Sequence, residues 1–239
     1  MKLRTDKQES RVIVYDADSL EQPGPELFDP AYWEEQDSLS GTARGRGSAF
    51  LLETGFGAAV LKQYLRGGWP ARFIRDRYFF TGYQRSRPLA EMSVLARVHE
   101  LGLPAPAPLA AMCERTGLLY RGWLMTRRIR GVTPLSDLLA EPGTRLWERT
   151  GSAIRRFHDA RVAHADLNAR NILVDESGSV HLVDFDRARV NVSETRVLRA
   201  NLRRLRRSLE KLWPERPAMD LDRAWSALMA AYGEPEEAS

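Results

Sequence analysis

Cysteine is nearly absent from this chain: Cys113 is the only one in 239 residues. A lone thiol excludes an intramolecular disulfide and any cysteine-built metal centre. Lysine is almost as scarce. It occurs only at Lys2, Lys7, Lys62 and Lys211, and every other basic side chain is arginine. Long apolar runs are missing too: none approaches the roughly 20 residues that a membrane-spanning helix needs. Residues 1–10 lack the apolar core of a secretory signal. Together these absences lead us to expect a cytoplasmic protein. The hydrophobic content is 43%, enough to build a core in one large domain or two lobes. The net charge of +4 is too small to indicate nucleic acid, and no nucleic-acid partner is expected.

What is present concentrates in one stretch. The run His164-Ala165-Asp166-Leu167-Asn168-Ala169-Arg170-Asn171 is followed by Val183-Asp184-Phe185-Asp186. Between them, Ile172-Leu173-Val174 and Val180-His181-Leu182-Val183 read as two strands around a turn at Asp175-Glu176-Ser177-Gly178. Such a hairpin would return Asp184 to the mouth where Asn171 sits. The chemistry suits phosphoryl transfer. A hydroxyl nucleophile needs a carboxylate to orient it and take its proton, and Asp166 is the candidate catalytic residue. Magnesium prefers hard oxygen ligands and keeps several waters. Asn171 and Asp184 offer one neutral and one charged oxygen, enough to hold Mg2+ against the triphosphate of ATP. H-x-D-L-x-x-x-N and D-F-x are the patterns of the catalytic and metal-binding loops of protein-kinase-like enzymes.

The N-terminal half supplies a partner set. Val12 to Tyr15 suggests a short strand, and Leu27 to Trp33 an aromatic clip. A glycine-rich turn over residues 41–48 precedes strand-like residues 49–53. After a second turn, residues 58–64 form another strand. Gly45 and Gly47 would let the backbone approach nucleotide phosphates closely. Lys62 stands in that last, apolar strand, and a buried ammonium needs an anion. The phosphates of ATP would satisfy it, with Glu91 behind. Glu91 lies in a helix predicted over residues 88–101, with Met92, Leu95 and His99 on one face. The proline-rich residues 103–108 read as a stiff connector. Two strands around Thr116-Gly117 follow and end in a hinge near residues 126–129. Helices are then expected from Leu135 to Leu139, from Arg145 to Asp159 and near Thr195 to Trp213. The last has Leu198, Leu202, Leu205, Leu209 and Leu212 on one face and arginines over the rest. Packing on the core accounts for the leucines, and contact with anionic lipid or substrate is the further use for the arginine flank.

These motifs resemble the protein-kinase-like fold in a small bacterial form. More closely, nearly the whole chain resembles the lipopolysaccharide sugar kinases that act on 3-deoxy-D-manno-octulosonic acid (Kdo). The resemblance rests on residues 27–33, the Gly45-Arg46-Gly47 turn, Leu61-Lys62-Gln63-Tyr64, the arginine–aromatic stretch up to residue 87, and the two catalytic loops. It implies an α+β, bilobal fold: an N-lobe over residues 1–126 with an antiparallel sheet and one main helix, and a mainly helical catalytic C-lobe over 127–239. It implies transfer of the γ-phosphate of ATP to a Kdo hydroxyl, O-4, of a Kdo-lipid A precursor at the cytoplasmic face of the inner membrane. The partners expected are that glycolipid and the anionic membrane surface, with no obligate protein partner. Within residues 66–87, Arg72, Arg75 and Arg77 are candidate contacts to the acceptor or the membrane. Arginine suits phosphates and carboxylates, and interfacial aromatics suit acyl chains.

Three departures from protein kinases favour a small or glycolipid acceptor over a protein. Ala165 replaces the arginine of H-R-D, Asp186 replaces the glycine of D-F-G, and no A-P-E segment follows. An atypical protein kinase, another bacterial sugar or heptose kinase, and a nucleotide-binding pseudokinase remain alternatives. Retention of Lys62, Asp166, Asn171 and Asp184 argues against the last.

Overall fold

The computed structural model describes residues 1–42, 48–65, 76–215 and 219–233. The chain is α+β and divides into two compact units, residues 1–96 with 107–128, and residues 97–106 with 129–239.

The first unit is built on an antiparallel sheet. Its strands are β1 (Leu3–Lys7), β2 (Arg11–Asp16), β3 (Leu39–Thr42), β4 (Ser48–Thr54), β5 (Gly57–Gln63), β6 (Tyr78–Phe79), β7 (Pro108–Thr116) and β8 (Leu119–Arg127). The order is β1-β2-β7-β8-β5-β4-β3, with β6 also pairing to β8. Alternation along β5 sorts its side chains. Ala59 and Leu61 are fully buried in a cluster with Phe28 and Trp33. Those aromatics come from the short helical segments Pro25–Phe28 and α1 (Pro30–Glu35). Trp33 Nε1 donates to the Leu27 carbonyl at 2.9 Å, which closes the clip. Lys62, one residue on from Leu61, points to the opposite face.

That opposite face meets α2 (Arg87–Glu100). Met92, Leu95 and Val98 of α2 are buried. His99, expected on this face, is exposed, because the step of three from Leu95 to Val98 follows the stripe and the step of four leaves it. Pro88, in the first turn of α2, packs so closely on β8 that a Cβ at Gly122 would lie 2.6 Å from its ring. Cys113, on β7, is fully buried, and desolvation pushes its thiol up to about 11.

The second unit carries α3 (Arg145–Asp159), α4 (Thr195–Leu212), α5 (Leu221–Tyr232) and a three-stranded antiparallel sheet. Its strands are β9 (Val132–Pro134), β10 (Ile172–Asp175) and β11 (Val180–Leu182), in the order β11-β10-β9. The hairpin read from the sequence is there, with Val174 opposite Val180. Gly178 takes φ 77°, and Asp175 accepts from Ser177 and Ser179 to tie the turn. The helix expected from Leu135 to Leu139 is instead a single 3-10 turn, Leu135–Asp137. The Leu138 N–H bonds back to the Leu135 carbonyl at 3.1 Å, an i to i−3 bond that closes the tighter turn. Helix α3 has the bounds expected, and it packs directly on α5. A Cβ at Gly151 would stand 2.1 Å from the Leu228 carbonyl oxygen, so only glycine lets the two backbones approach this closely. On α4, Leu198, Leu202, Leu205 and Leu209 are buried, while Leu212 is partly exposed near the helix end.

Candidate active site

In the first unit, Lys62 Nζ donates to Glu91 Oε2 at 2.9 Å and Oε1 at 3.2 Å. The carboxylate is 2% exposed and the ammonium 27%, so one end of the pair is sealed and the other reaches solvent. Tyr64, two residues beyond Lys62 and therefore on the same face, also donates its hydroxyl to Glu91 Oε2. A buried carboxylate needs such donors to offset lost hydration. Arg87 extends the cluster. Its guanidinium lies over the rings of Tyr64 and Tyr78 and donates to the Tyr78 hydroxyl at 2.6 Å. Gly45 and Gly47 lie outside the described residues, as do Arg72 and Arg75.

Arg77 is described. It is 43% exposed, with Nε 4.0 Å from Asp76, and Asp76 pairs more closely with Arg121 at 2.6 Å. Of the aromatics near Arg77, Tyr78, Phe80 and Tyr83 pack with Tyr120 or with each other. Phe79 is 69% exposed, and Leu118 beside it is 78% exposed. The described part of the stretch is thus largely an internal aromatic cluster with an exposed apolar edge.

In the second unit, α3 ends at Asp159 and the chain turns through Arg161, at φ 59°, into the loop beginning at His164. His164 is buried and organises that loop. Its Nε2 meets the Val183 carbonyl at 2.9 Å, and its Nδ1 accepts the Asp166 N–H at 3.2 Å. A nitrogen facing a carbonyl must donate and one facing an N–H must accept, so the contacts select the Nε2–H tautomer. The loop and the strand leading to Asp184 are therefore joined through one ring. A second tie is the Val183 N–H to Asn171 carbonyl bond at 3.0 Å, which closes the open end of the hairpin. Asn171 and Asp184 accordingly sit at the same end of the hairpin, as its spacing predicts.

Asn171 Nδ2 donates to the Asp166 carbonyl at 2.9 Å, so Oδ1 is the atom this amide offers outward. Asp184 adopts φ 66°. Non-glycine residues in this region cost energy and cluster at functional sites, Asp being among the more tolerant. Phe185, fully buried between Phe157 and His164, anchors the backbone there. The left-handed residues of this loop are Asp184 and Arg187, and Asp186 is not among them. No glycine is needed at 186. Among the described residues no group of three His, Cys, Asp or Glu gathers that could hold an ion alone. A magnesium ion carried by a triphosphate asks for only one or two protein oxygens, and Asn171 and Asp184 fit that demand.

Asp166 is exposed and aimed outward, with a partner on each oxygen. Arg204 Nη1 lies 3.0 Å from Oδ1, and Asn168 Nδ2 lies 3.2 Å from Oδ2. Arg204 belongs to α4, as do two further contacts to the loop. Asn201 Oδ1 accepts the His164 N–H at 2.9 Å, and Ser208 Oγ accepts the Ala169 N–H at 3.2 Å. Behind Asn201 stands His158, whose Nε2 is 3.4 Å from the same Oδ1 and whose Nδ1 is 2.8 Å from the Tyr232 hydroxyl. Sequence reasoning assigned no role to Tyr64, His158, Asn201 or Ser208, and placed Arg204 only in the basic flank of α4. A signal existed for Tyr64, two residues from Lys62 on a strand. For Asn201, Arg204 and Ser208, α4 reads as leucines and a basic flank, and the polar face stays hidden; His158 is a single polar residue in the last turn of α3.

A loop bearing Asp166, a hairpin that returns Asn171 and Asp184 to one end, and a lysine–glutamate pair on an α+β frame mark the class: kinase-like phosphotransferases. A profile of the lipopolysaccharide kinase (Kdo/WaaP) family matches residues 30–232. The chain is 43% identical over 222 residues to the 3-deoxy-D-manno-octulosonic acid kinase of Stenotrophomonas maltophilia (strain R551-3), covering 92% of this chain and 88% of the relative. It is 42% identical over 221 residues to the enzyme of that name from Xanthomonas euvesicatoria pv. vesicatoria (strain 85-10), and 40% over 221 to that of Xylella fastidiosa (strain M23), at the same coverage. The chain belongs to the lipopolysaccharide kinase (Kdo/WaaP) family. It is a phosphotransferase whose acceptor group is a hydroxyl.

Proposed function

We propose that this enzyme is a Kdo kinase of lipopolysaccharide synthesis, transferring the γ-phosphoryl group of ATP to O-4 of Kdo on a lipid A precursor. The observation that carries the reading is the hairpin closure that holds Asn171 beside Asp184 while Asn171 also bonds the backbone of Asp166. The acceptor is supported by the shared name of relatives at 40–43% identity. In this reading Asp166 orients the acceptor hydroxyl and receives its proton as the O–P bond forms and ADP leaves. Asn171 and Asp184 hold Mg2+, which neutralises charge on the phosphates. Lys62, steadied by Glu91, binds the phosphates of ATP, and Gly45 and Gly47 cover them. The bilobal division of a kinase, with residues 1–126 serving nucleotide and 127–239 serving catalysis, belongs to the same reading. So does peripheral association with the cytoplasmic face of the inner membrane, where Arg72, Arg75 and Arg77 would meet acceptor phosphates. No described helix is long and apolar enough to cross a membrane.

The test is mass spectrometry of the product from purified enzyme, ATP, Mg2+ and Kdo-lipid A precursor. Phosphorus–proton NMR of the product then fixes the hydroxyl. One added phosphate on Kdo O-4 is expected. Transfer to a heptose, a protein or an aminoglycoside, with none to Kdo, would refute the proposal.

A further inference from the structure

The loop from His164 to Asn171 has only one cationic side chain after its histidine, Arg170, which is exposed. Ala165 is apolar and Asn168 neutral. The cation that actually meets Asp166 comes from elsewhere, as Arg204 of α4. It does not arrive alone. Asn201, Arg204 and Ser208 are spaced three and four apart, which puts them on one face of the helix. They meet His164, Asp166 and Ala169 in the same order. The helix is thus docked along the loop residue by residue, and Arg204 is the middle contact of three.

The geometry points to Arg204 as a positioning residue for phosphoryl transfer: with Asn168 it fixes the plane of the Asp166 carboxylate, one partner per oxygen, and leaves a lone pair of Asp166 for the acceptor hydroxyl. This rests on the assignment of Asp166 above. Each carboxylate oxygen can accept about two hydrogen bonds, so both partners can stay in place while the hydroxyl binds. A carboxylate on an exposed loop otherwise rotates about its side-chain bonds, and a reacting group displaced by about 1 Å can lose on the order of 100-fold in rate. The pair contributes little to holding the fold. Both side chains are about half exposed, at 49% and 56%, and exposed ion pairs add little to stability. The apolar stripe of α4, with Asn201 and Ser208, keeps the helix docked without it. A change at Arg204 should therefore act on turnover while sparing stability.

Steady-state kinetics with ATP and the Kdo acceptor, on wild type, Arg204→Ala, Arg204→Lys and Arg203→Ala, test this. Arg204→Ala should lower kcat by about 10- to 100-fold, with the KM for ATP unchanged. Arg204→Lys should recover part of the loss, since it restores the charge but not the planar fork. Arg203→Ala, one residue away and off that face, should keep the wild-type rate. In an Asp166→Asn background, Arg204→Ala should cost nothing further, because a residue acting through Asp166 has nothing left to position. Should Arg204→Ala not fold, Arg204→Gln carries the same expectations. A wild-type kcat in Arg204→Ala beside an inactive Asp166→Asn overturns the role of Arg204 alone. Losses that multiply in the double variant overturn it in favour of a structural effect. Full activity in Asp166→Asn overturns both this role and the assignment of Asp166.

Discussion

Mild acid should loosen this protein through His158. The ring is 4% exposed, and burial holds its pKa down at about 4 against an ordinary 6.5, only partly opposed by its bond to Asn201. In the unfolded chain the same imidazole takes up a proton near 6.5. The unfolded state therefore binds more protons than the folded state as pH falls through that window. His158 leaves stability intact above about 6.5 and lowers it as pH falls toward about 4. Each tenfold difference in proton affinity between the two states is about 1.4 kcal/mol, so the whole window is worth about 3 kcal/mol. That is a large share of the roughly 5–15 kcal/mol that keeps a protein folded.

The measurement is urea unfolding at a series of pH values from about 7.5 to about 4.5, on wild type and His158→Gln. Glutamine cannot titrate, while its amide retains one donor and one acceptor. Every other titrating group is common to both proteins, so the difference isolates the histidine. Wild type should lose about 2–3 kcal/mol more than the variant over this range. Parallel curves would refute the reasoning, as would an NMR titration of His158 with its midpoint near the ordinary value. Since Asn201 links His158 to the His164 N–H, loss of activity should accompany the loss of stability.

Lys62→Ala should raise the KM for ATP and take one donor from the buried Glu91 carboxylate; an unchanged ATP dependence would remove Lys62 from phosphate binding. Asn171→Ala and Asp184→Asn should each lower kcat and shift the magnesium titration to higher concentration, and wild-type titrations would exclude them as ligands. Gly151→Ala should destabilise by about 1–2 kcal/mol, because contact with the Leu228 backbone outweighs the gain of about 1 kcal/mol in helix propensity; a thermal melt at or above wild type would show that α3 and α5 can separate without cost. Arg72, Arg75 and Arg77 changed together to glutamate should weaken sedimentation with anionic vesicles at low salt, each arginine contributing about 1 kcal/mol near the surface; equal binding would exclude them as membrane contacts.

The parts legible in the sequence are those where one residue type has one local use. Alternation around Leu61 placed Lys62 on the face away from the apolar cluster, and the helix pattern after Pro88 offered Glu91 to meet it. The hairpin was legible because strand residues flank a turn with Gly178, and its two ends were bound to return Asn171 and Asp184 together. His99 was misplaced because steps of three and four fit equally well after Leu95, and only the neighbour that covers the helix decides. The Leu135–Asp137 turn was overread because five residues carry too little pattern to tell a 3-10 turn from an α-helix. Strand β1 and helix α5 were not among the expected elements. Leu3–Lys7 is mostly exposed and gives little pattern, whereas α5 does carry helix signals, with Asp220 capping its start, Ala224, Leu228 and Tyr232 at steps of four, and Gly233 just past its end.

Helix α4 shows why the rest was hidden, and the reason bears on how this site differs from that of a protein kinase. Its leucines recur with the helical period and announce the core face. Asn201, Arg204 and Ser208 recur with the same period, but among so many arginines their alignment carries no contrast. What makes them a set is the loop they touch. That loop has lost a charge at Ala165 relative to H-R-D, and it meets its cation from a helix more than thirty residues downstream. The exchange at Asp186 follows the same physics, since the left-handed backbone has settled on Asp184 and Arg187 and a side chain at 186 is allowed. The first departure is met by a residue distant in the sequence, the second by its immediate neighbours Asp184 and Arg187. Reading either one as loss of function from the motif alone would overlook what the fold sets beside it, in the first case the polar face of α4.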